Sequence, residues 1–481
     1  MKKTKIVCTL GPACDDEIIL AKMLRAGMCV ARLNFSHGTH EDHRLRLQRL
    51  RNIAKQEAVT VGVLLDTKGP EIRIRKFEND RVELRDGQKF VLTAKDILGD
   101  ENRVAITYDE LYLDVERGDK MYFDDGLIEM EVVDVVDKEI IMKVTIAGVL
   151  SNNKSISIPK GRSEMSFLTE EDKKDLLFGI ENGIDFVAAS FVRSAADVKL
   201  MRQFLDENGG ENIWIISKIE NGEGVINIDE IIQNSDGIMV ARGDLGVEID
   251  AELIPITQKD IIEKCNVAAK PVITATQMLD SMIRNPQATR AEINDVANAV
   301  FDGTDAVMLS AESAAGKYPV EAVETLSRVI YRTEASERYF RNVKRDFTGL
   351  NSVTNVIGHA VGDIAHKLAV KAIIAPSTGG YTPRLISKFR PQCLLIAAVH
   401  DVSVMQKLTL VWGVQTVYIE EQTEYEALVC KAVRAVAEKG MVQENDMVVI
   451  TSGFPINISG STNNIRVVRV HDTGNCEMSI L

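Results

Sequence analysis

The stretch Trp214–Glu248, WIISKIENGEGVINIDEIIQNSDGIMVARGDLGVE, decides the fold. It holds two apolar runs, Trp214-Ile-Ile-Ser-Lys218-Ile-Glu220-Asn221 and Gly237-Ile-Met-Val-Ala-Arg242-Gly243-Asp244, and both end in charge. Uniformly apolar runs of this length read as parallel strands covered on both faces. Charges at the C-terminal ends of such strands are costly unless paired, metal-bound or catalytic. Carboxylates on neighbouring strand ends (Glu220, Asp244) can hold a divalent cation, and a lysine beside them (Lys218) can hold an anion, which is equipment for chemistry on phosphate. The plainer reading is a buried Lys218–Glu220 pair that only supports the fold, although such pairs add little net stability.

Working outward, strands alternate with amphipathic helices. Lys5–Leu10, Val30–Ser36 and Val61–Lys68 read as strands, with helices Asp15–Ala26 and Thr39–Ala58 between them. His40 and His43 fall on the second helix and read as part of its solvated face. After an interruption the series resumes with helix Leu168–Asn182, strand Phe186–Val192 and helix Ala195–Glu207. Helix Val225–Gln233 joins the two strands quoted above. Helix Ala251–Ala269, strand Pro271–Met278, helix Ala288–Phe301, strand Ala306–Ser313 and helix Pro319–Ala335 complete it. Eight strand–helix units predict a closed (β/α)8 barrel over residues 1–70 and 167–340, with an open doubly wound sheet as the alternative. The interruption, residues 71–166, shows short alternating runs between Asp-Gly and Arg-Gly turns, and reads as an inserted all-β lid domain beside the active-site face. Residues 341–481 read as an open α/β domain.

The other barrel strand ends are polar as well. They carry Arg32, Asn34, Ser36 and His37; Asp66, Thr67, Lys68, Glu71 and Arg73; Thr274, Thr276 and Gln277; Ser310, Glu312 and Ser313. Polar groups converging on one rim are hard to explain as packing. With 481 residues, 45% of them hydrophobic, the chain can bury sizeable cores; its net charge of −14 and 5% aromatic content exclude a nucleic-acid surface. No run approaches the ~20 apolar residues of a membrane span. Seven cysteines without a CxxC pair fit reduced thiols and a cytoplasmic location.

The motifs TKIVCTLGPA, RLNFSHG, LLDTKGPEIR, ISKIENGEG, IMVARGDLGVE, ITATQML and MLSAESAAGKYP resemble, in order and along the whole chain, the pyruvate kinase family, in its bacterial form without an extra C-terminal domain. The resemblance implies phosphoryl transfer from phosphoenolpyruvate to ADP, giving pyruvate and ATP. It implies Glu220 and Asp244 as ligands of Mg²⁺ (or Mn²⁺) and Lys218 against the transferring phosphoryl group. Arg32 and Arg73 would hold phosphoryl oxygens, and the backbone of Ala241-Arg242-Gly243-Asp244 the substrate carboxylate. Thr276 would join the relay that protonates the enolate; the plainer reading of Thr276 is a hydroxyl bonded to a nearby carbonyl. Asn34, His37 and Arg73 would face the nucleotide. A homotetramer is implied on the same ground. Two places depart from the family pattern: SAESAAG puts Ala315 where a lysine is often found, and SNNKSISIPKG, with Lys154, replaces a run rich in Gly and Lys. A metal-dependent pyruvate-type aldolase or lyase barrel is a second reading, and an inactive metabolite-binding homologue a third.

Two further sites are expected. Asn34, Ser36, Asp66 and Thr67 form a hard-oxygen cage with one formal negative charge, suited to K⁺, unless the four simply hydrogen-bond one another. Glu71 is the residue that K⁺-dependent members resemble at this position. In the C-terminal domain, Ser377-Thr378-Gly379-Gly380-Tyr-Thr382 follows a strand and opens a helix. With Thr451-Ser452-Gly453 and the loop Ser459-Gly460-Ser-Thr462-Asn463 it reads as a phosphate cradle or as an ordinary capped turn. The resemblance implies a sugar-phosphate or nucleotide effector there.

Overall fold

The structure, a computed structural model, describes residues 2–159, 165–343, 352–456, 458 and 460–470. Ser459, Cys476 and the Lys160-Gly161 end of SNNKSISIPKG lie outside them. Eight parallel strands close into a barrel, each paired with its neighbours in sequence. They are β1 (Lys5–Thr9), β2 (Val30–Asn34), β3 (Gly62–Asp66), β4 (Phe186–Ala189), β5 (Trp214–Ile219), β6 (Gly237–Ala241), β7 (Val272–Ala275) and β8 (Ala306–Leu309). Almost every residue in them is buried, because side chains pack inside the barrel and under the helices outside it. Local signals bound the helices. Asp16 accepts from the N–H groups of Ile18 and Ile19 to start Glu17–Ala26, and Gly27, at φ +113°, ends it.

At the base, three aspartates precede strands and clamp their neighbours. Asp185 before β4 accepts from Val63 N–H of β3 at 2.8 Å. Asp236 before β6 accepts from Ile215 N–H of β5 at 2.9 Å. Asp305 before β8 accepts from Val272 N–H of β7 at 3.0 Å. The matching residue before β2 is Cys29, whose N–H bonds Ile6 O at 2.9 Å. Arg390 of the C-terminal domain also grips Asp305, at 2.9 Å, and its guanidinium lies 4.7 Å from the Trp412 ring. The C-terminal domain is thereby fixed to the barrel base, opposite the active-site face.

The insertion is a seven-stranded sheet, running from Ile72–Arg73 to Ser155–Ser157, with a two-stranded ribbon beside it. It has its own core of Phe90, Phe123, Met130 and Met142. Its turn at Asp124-Asp125-Gly126 meets the helix after β6: a Cβ placed on Gly126 would lie 3.6 Å from a Val247 methyl. The lid therefore stands over the β3 and β6 strand ends.

The C-terminal domain holds β9 (Ala372–Pro376), β10 (Leu394–Val399), β11 (Val414–Tyr418), β12 (Met447–Gly453) and β13 (Thr462–Arg469), in the order β11-β10-β9-β12-β13. All neighbours are parallel except β13, which runs antiparallel to β12.

Three local expectations are corrected. Val225–Gln233 is two short helices, Gly222–Ile226 and Ile228–Asn234, meeting at Asn227. Ser310–Ser313 is not strand: β8 stops at Leu309 and a short helix, Ala311–Ala314, begins. His43 does not lie on a solvated face, whereas the His40 side chain is 43% exposed. His43 is 2% exposed and stacks on Phe35. His40 stacks on Phe178 and pairs with Asp175 at 2.6 Å. The His43 ring is buried beneath the turn after β2, and the partly exposed His40 ring borders the helix before β4.

Candidate active site

The polar groups at the mouth are tied by one buried carboxylate. Asp66, 1% exposed at the end of β3, accepts from Arg32 Nε at 2.6 Å and from Lys218 Nζ at 3.0 Å. Arg32 is steadied further by Thr9 Oγ1 at 2.9 Å. Burial works against the Asp66 carboxylate, but Arg32 and Lys218 outweigh it and lower its pKa. Lys218 also reaches Glu220 Oε1 at 2.8 Å and Ser190 Oγ at 2.8 Å. Burial would strip its proton; Asp66, Glu220 and Asp244 together raise its pKa instead, so the ammonium stays charged. A permanently charged, nearly dry cation facing a cleft is a strong anion anchor.

Glu220, 1% exposed, spends its other oxygen on Phe191 N–H at 2.7 Å. Burial raises its pKa, Lys218 opposes and Asp244 reinforces. The two carboxylates are thus close enough to repel, with one lysine between them. That is a donor pair fitted to a divalent cation, which takes two protein carboxylates and fills its octahedron with water and substrate oxygens. Among the described residues, no three His, Cys, Asp or Glu side chains gather into a full metal cage.

The turn after β6 is built with β7. Arg242 sends its side chain away from the cleft, donating to Ala275 O at 3.1 Å, Thr276 O at 2.6 Å and the Asp295 carboxylate at 2.8 Å. Of the Ala241–Asp244 turn, only backbone therefore remains to meet a ligand near Arg242. Gly243 N–H donates to Thr276 Oγ1 at 2.8 Å, and that hydroxyl donates to Ala275 O at 2.6 Å. The Thr276 hydroxyl is thus bonded to a nearby carbonyl and itself accepts the Gly243 N–H. Thr276 sits at φ +65°, strained for a β-branched residue, and the Arg242 and Gly243 bonds hold it there.

Arg73 is not free. Its Nε and Nη2 bond the Glu71 carboxylate at 2.9 and 2.7 Å, and its Nη1 bonds Asn153 O at 2.7 Å. Burial raises the pKa of Glu71 while Arg73 pulls it down. Of the groups in the expected K⁺ cage, Asn34 stands opposite Asp66 in the β2–β3 register and its Oδ1 accepts from Ser36 N–H at 3.2 Å, while the two Asp66 oxygens already accept from Lys218 and Arg32. Thr67 O accepts from Ser190 Oγ at 2.6 Å, leaving that carbonyl a second lone pair. His37 is exposed on the same turn. Glu312 serves structure, accepting from Leu279 N–H at 3.1 Å and Ser310 N–H at 2.7 Å.

Ser190 escaped sequence reasoning. It follows the apolar run Phe186–Ala189 and stands beside Lys218. A polar residue directly after a four-residue apolar run is the signal that marks it.

In the C-terminal domain, Ser377, Thr378, Thr382, Ser452 and Gly460 line a hollow at the strand ends that opens to solvent. Gly379 and Gly380 are outside its lining. Gly380, at φ +76°, starts helix Tyr381–Lys388 and donates its N–H to Ser377 Oγ at 3.1 Å. Thr382 is buried, its hydroxyl 2.7 Å from that of Thr462. Glu420 and Glu421 lie on the opposite wall, and no lysine or arginine stands among the described lining residues.

Comparison with known proteins identifies the site's family. The model of the pyruvate kinase barrel domain matches residues 1–323, and that of the pyruvate kinase alpha/beta domain matches residues 355–468. The chain belongs to the pyruvate kinase family. Pyruvate kinase of Geobacillus stearothermophilus is 49% identical over 476 residues, covering 98% of this chain and 81% of the relative. That of Sporosarcina psychrophila is 47% identical over 479 residues, with the same coverage. A crystal structure of a pyruvate kinase from Cryptosporidium parvum superposes with a TM-score of 0.91 at 39% identity, over 97% of this chain and 96% of that one. Family membership makes the chain a phosphotransferase and sets aside the aldolase or lyase reading. Lys218, Glu220, Asp244 and Thr276, whose loss would mark an inactive homologue, are all present. No helix among the described residues is long and apolar enough to cross a membrane.

Replacing Ser190 with alanine removes one of the three groups that aim Lys218. About one net hydrogen bond is lost, so kcat should fall about 5- to 10-fold with little change in the KM for phosphoenolpyruvate. Steady-state kinetics of Ser190→Ala check this.

Proposed function

We propose that the barrel mouth transfers the phosphoryl group of phosphoenolpyruvate to ADP, giving pyruvate and ATP, with Lys218 as the principal stabiliser of the group in transit. The supporting observation is the placement of Lys218: a charged ammonium, buried, aimed by Asp66, Glu220 and Ser190, on the strand end beside two carboxylates. Phosphoryl transfer spreads charge over peripheral oxygens, so a fixed cation in a dry site lowers the barrier with little reorganisation. Arg32, locked by Asp66 and Thr9, offers its remaining N–H groups to phosphoryl oxygens in planar geometry. The Ala241–Asp244 backbone receives the substrate carboxylate at the N-terminal turn of helix Arg242–Glu248. Thr276, through its hydroxyl, orients proton delivery to the enolate, which a threonine performs only through water. Asn34 and His37 face the nucleotide. Arg73 joins them once the nucleotide displaces one of its Glu71 or Asn153 bonds.

Glu220 and Asp244 would hold Mg²⁺ (or Mn²⁺), which when bound neutralises phosphate charge and orients substrate oxygens. Asn34, Ser36, Asp66 and Thr67 would hold K⁺. Glu71 supports this reading: with Glu71, Asp125 and Asp244 all influencing one another across the lid junction, the mouth is short of positive charge for two anionic substrates. The C-terminal hollow is read as an effector site for a sugar phosphate or nucleotide. Its phosphate would be held by the Ser377, Thr378 and Thr382 hydroxyls and helix N–H groups rather than by basic side chains. A homotetramer is the assembly expected from the family.

Lys218→Met should lower kcat about 100- to 1,000-fold while phosphoenolpyruvate and metal still bind, as single-turnover and equilibrium-binding measurements would show. Near-normal kcat would remove Lys218 from its assigned role. In tetramethylammonium buffer with Mg²⁺, activity should be low and rise with added KCl at constant ionic strength. Glu71→Lys should lose most of that requirement, since it both adds a cation and frees Arg73. Full activity without K⁺ would overturn the cage. Finally, Thr378→Ala should weaken activation by sugar phosphates or AMP without altering the unactivated rate; a wild-type enzyme indifferent to every such ligand would sink the effector reading.

A further inference from the structure

The turn that carries Asn34, Ser36 and His37 is held from beneath by a residue outside it. Its ends are tied by backbone bonds: Phe35 N–H to Asp66 O at 3.1 Å and His37 N–H to Asn34 O at 3.2 Å. Its middle is held by His43, from the first turn of helix His40–Gln56. The His43 ring stacks on Phe35 with centroids 4.2 Å apart and planes 17° apart. Its Nε2 lies 2.9 Å from His37 O. A carbonyl oxygen only accepts, so Nε2 carries the proton and Nδ1 is bare. Nδ1 is buried without a hydrogen-bond partner, as a neutral ring in this tautomer allows. Burial lowers the His43 pKa to about 4, so this one-donor form persists across the working pH range.

We infer that His43 is a positioning residue for the active site: by stacking on Phe35 and donating to His37 O, it fixes the turn whose side chains meet the nucleotide and the monovalent cation. The inference rests on the reading of Asn34, Ser36 and His37 given above. It adds a residue that touches neither ligand. Both of its contacts fall on alternate residues of the turn, so loss of either lets Asn34 and Ser36 rotate away from the Asp66–Thr67 edge. Lys218 and the carboxylates hang from other strands, and Arg32, earlier on β2, is held separately by Asp66 and Thr9, so the clamp does not reach them.

Three variants separate the parts of the clamp. His43→Phe keeps a stacking ring and deletes the donor. His43→Gln keeps a donor at the position of Nε2 and loses the ring. Phe35→Leu removes the stack from the other side. Steady-state kinetics with ADP, phosphoenolpyruvate and KCl each varied, and calorimetric binding of ADP without phosphoenolpyruvate, are the readouts. His43→Phe should raise the ADP KM, the ADP dissociation constant and the half-activating K⁺ concentration about five-fold each, the size of one ordinary hydrogen bond. Its kcat at saturation and its KM for phosphoenolpyruvate should stay within about two-fold. His43→Gln and Phe35→Leu, which both keep a donor and lose the stack, should show the same pattern as His43→Phe, because both contacts hold the turn. Unchanged ADP binding in folded His43→Phe, a fall in kcat alone, or wild-type ADP binding in folded His43→Gln would overturn the inference. Should His43→Phe fail to fold, wild-type ADP binding in Phe35→Leu would overturn it equally. A wild-type enzyme that ignores K⁺ would end the cation reading, while the ADP measurements would still decide the role of His43.

Discussion

The site depends on one buried charge. Asp66 sits at the end of β3 with almost no contact with water, and it is tolerable there only because two cations satisfy it. Those cations are the groups proposed above to meet the anionic substrate. The same ion triad that solves a burial problem also fixes Arg32 and Lys218 in direction and protonation before any ligand arrives. Taking away the carboxylate would leave both cations to find other partners, and Lys218 would then fall more fully onto Glu220 and away from the cleft.

Around the triad, charge is arranged against the bulk of the molecule. The chain carries a net −14, and Glu71, Asp125, Glu220 and Asp244 bring that acidity to the mouth. Two anionic substrates enter such a place only if bound cations offset the acids. Arg73 shows how tight the balance is, since each of its guanidinium nitrogens already donates to Glu71 or Asn153. The lid that carries Asp125 and Lys154 is therefore part of the electrostatics of the mouth as well as a cover for it.

The barrel was readable because parallel strands buried on two faces must be apolar, and eight such runs alternate with helices. The strand-end charges were readable because they interrupt those runs where interruption is expensive. Pairing was harder to read. Asp66 and Lys218 lie 152 residues apart, and nothing local says that Asp66 serves Lys218 while Glu71 serves Arg73. The Arg242 side chain goes to Asp295, 53 residues on, another pairing that nothing local names. Ser190 was overlooked because a hydroxyl raises no alarm in a small-residue run. His43 misled for another reason. THEDHRLRL is polar on average, but His43, Leu47 and Leu50 share the i, i+4, i+7 face that the helix buries.

The aspartates beneath the barrel have a consequence of their own. Asp185, Asp236 and Asp305 precede alternate strands, and Cys29 occupies the fourth such place. Alternate strands share a level in an eight-stranded barrel, so these residues form a ring with approximate fourfold rotational order. No repeat of that period shows in the amino-acid sequence. The periodicity resides in hydrogen bonding, which couples strands 3 with 4, 5 with 6 and 7 with 8, and makes the barrel an assembly of two-strand modules. The module of β1 and β2 alone lacks a carboxylate clamp, and it is the one whose second strand ends in the turn that His43 must hold.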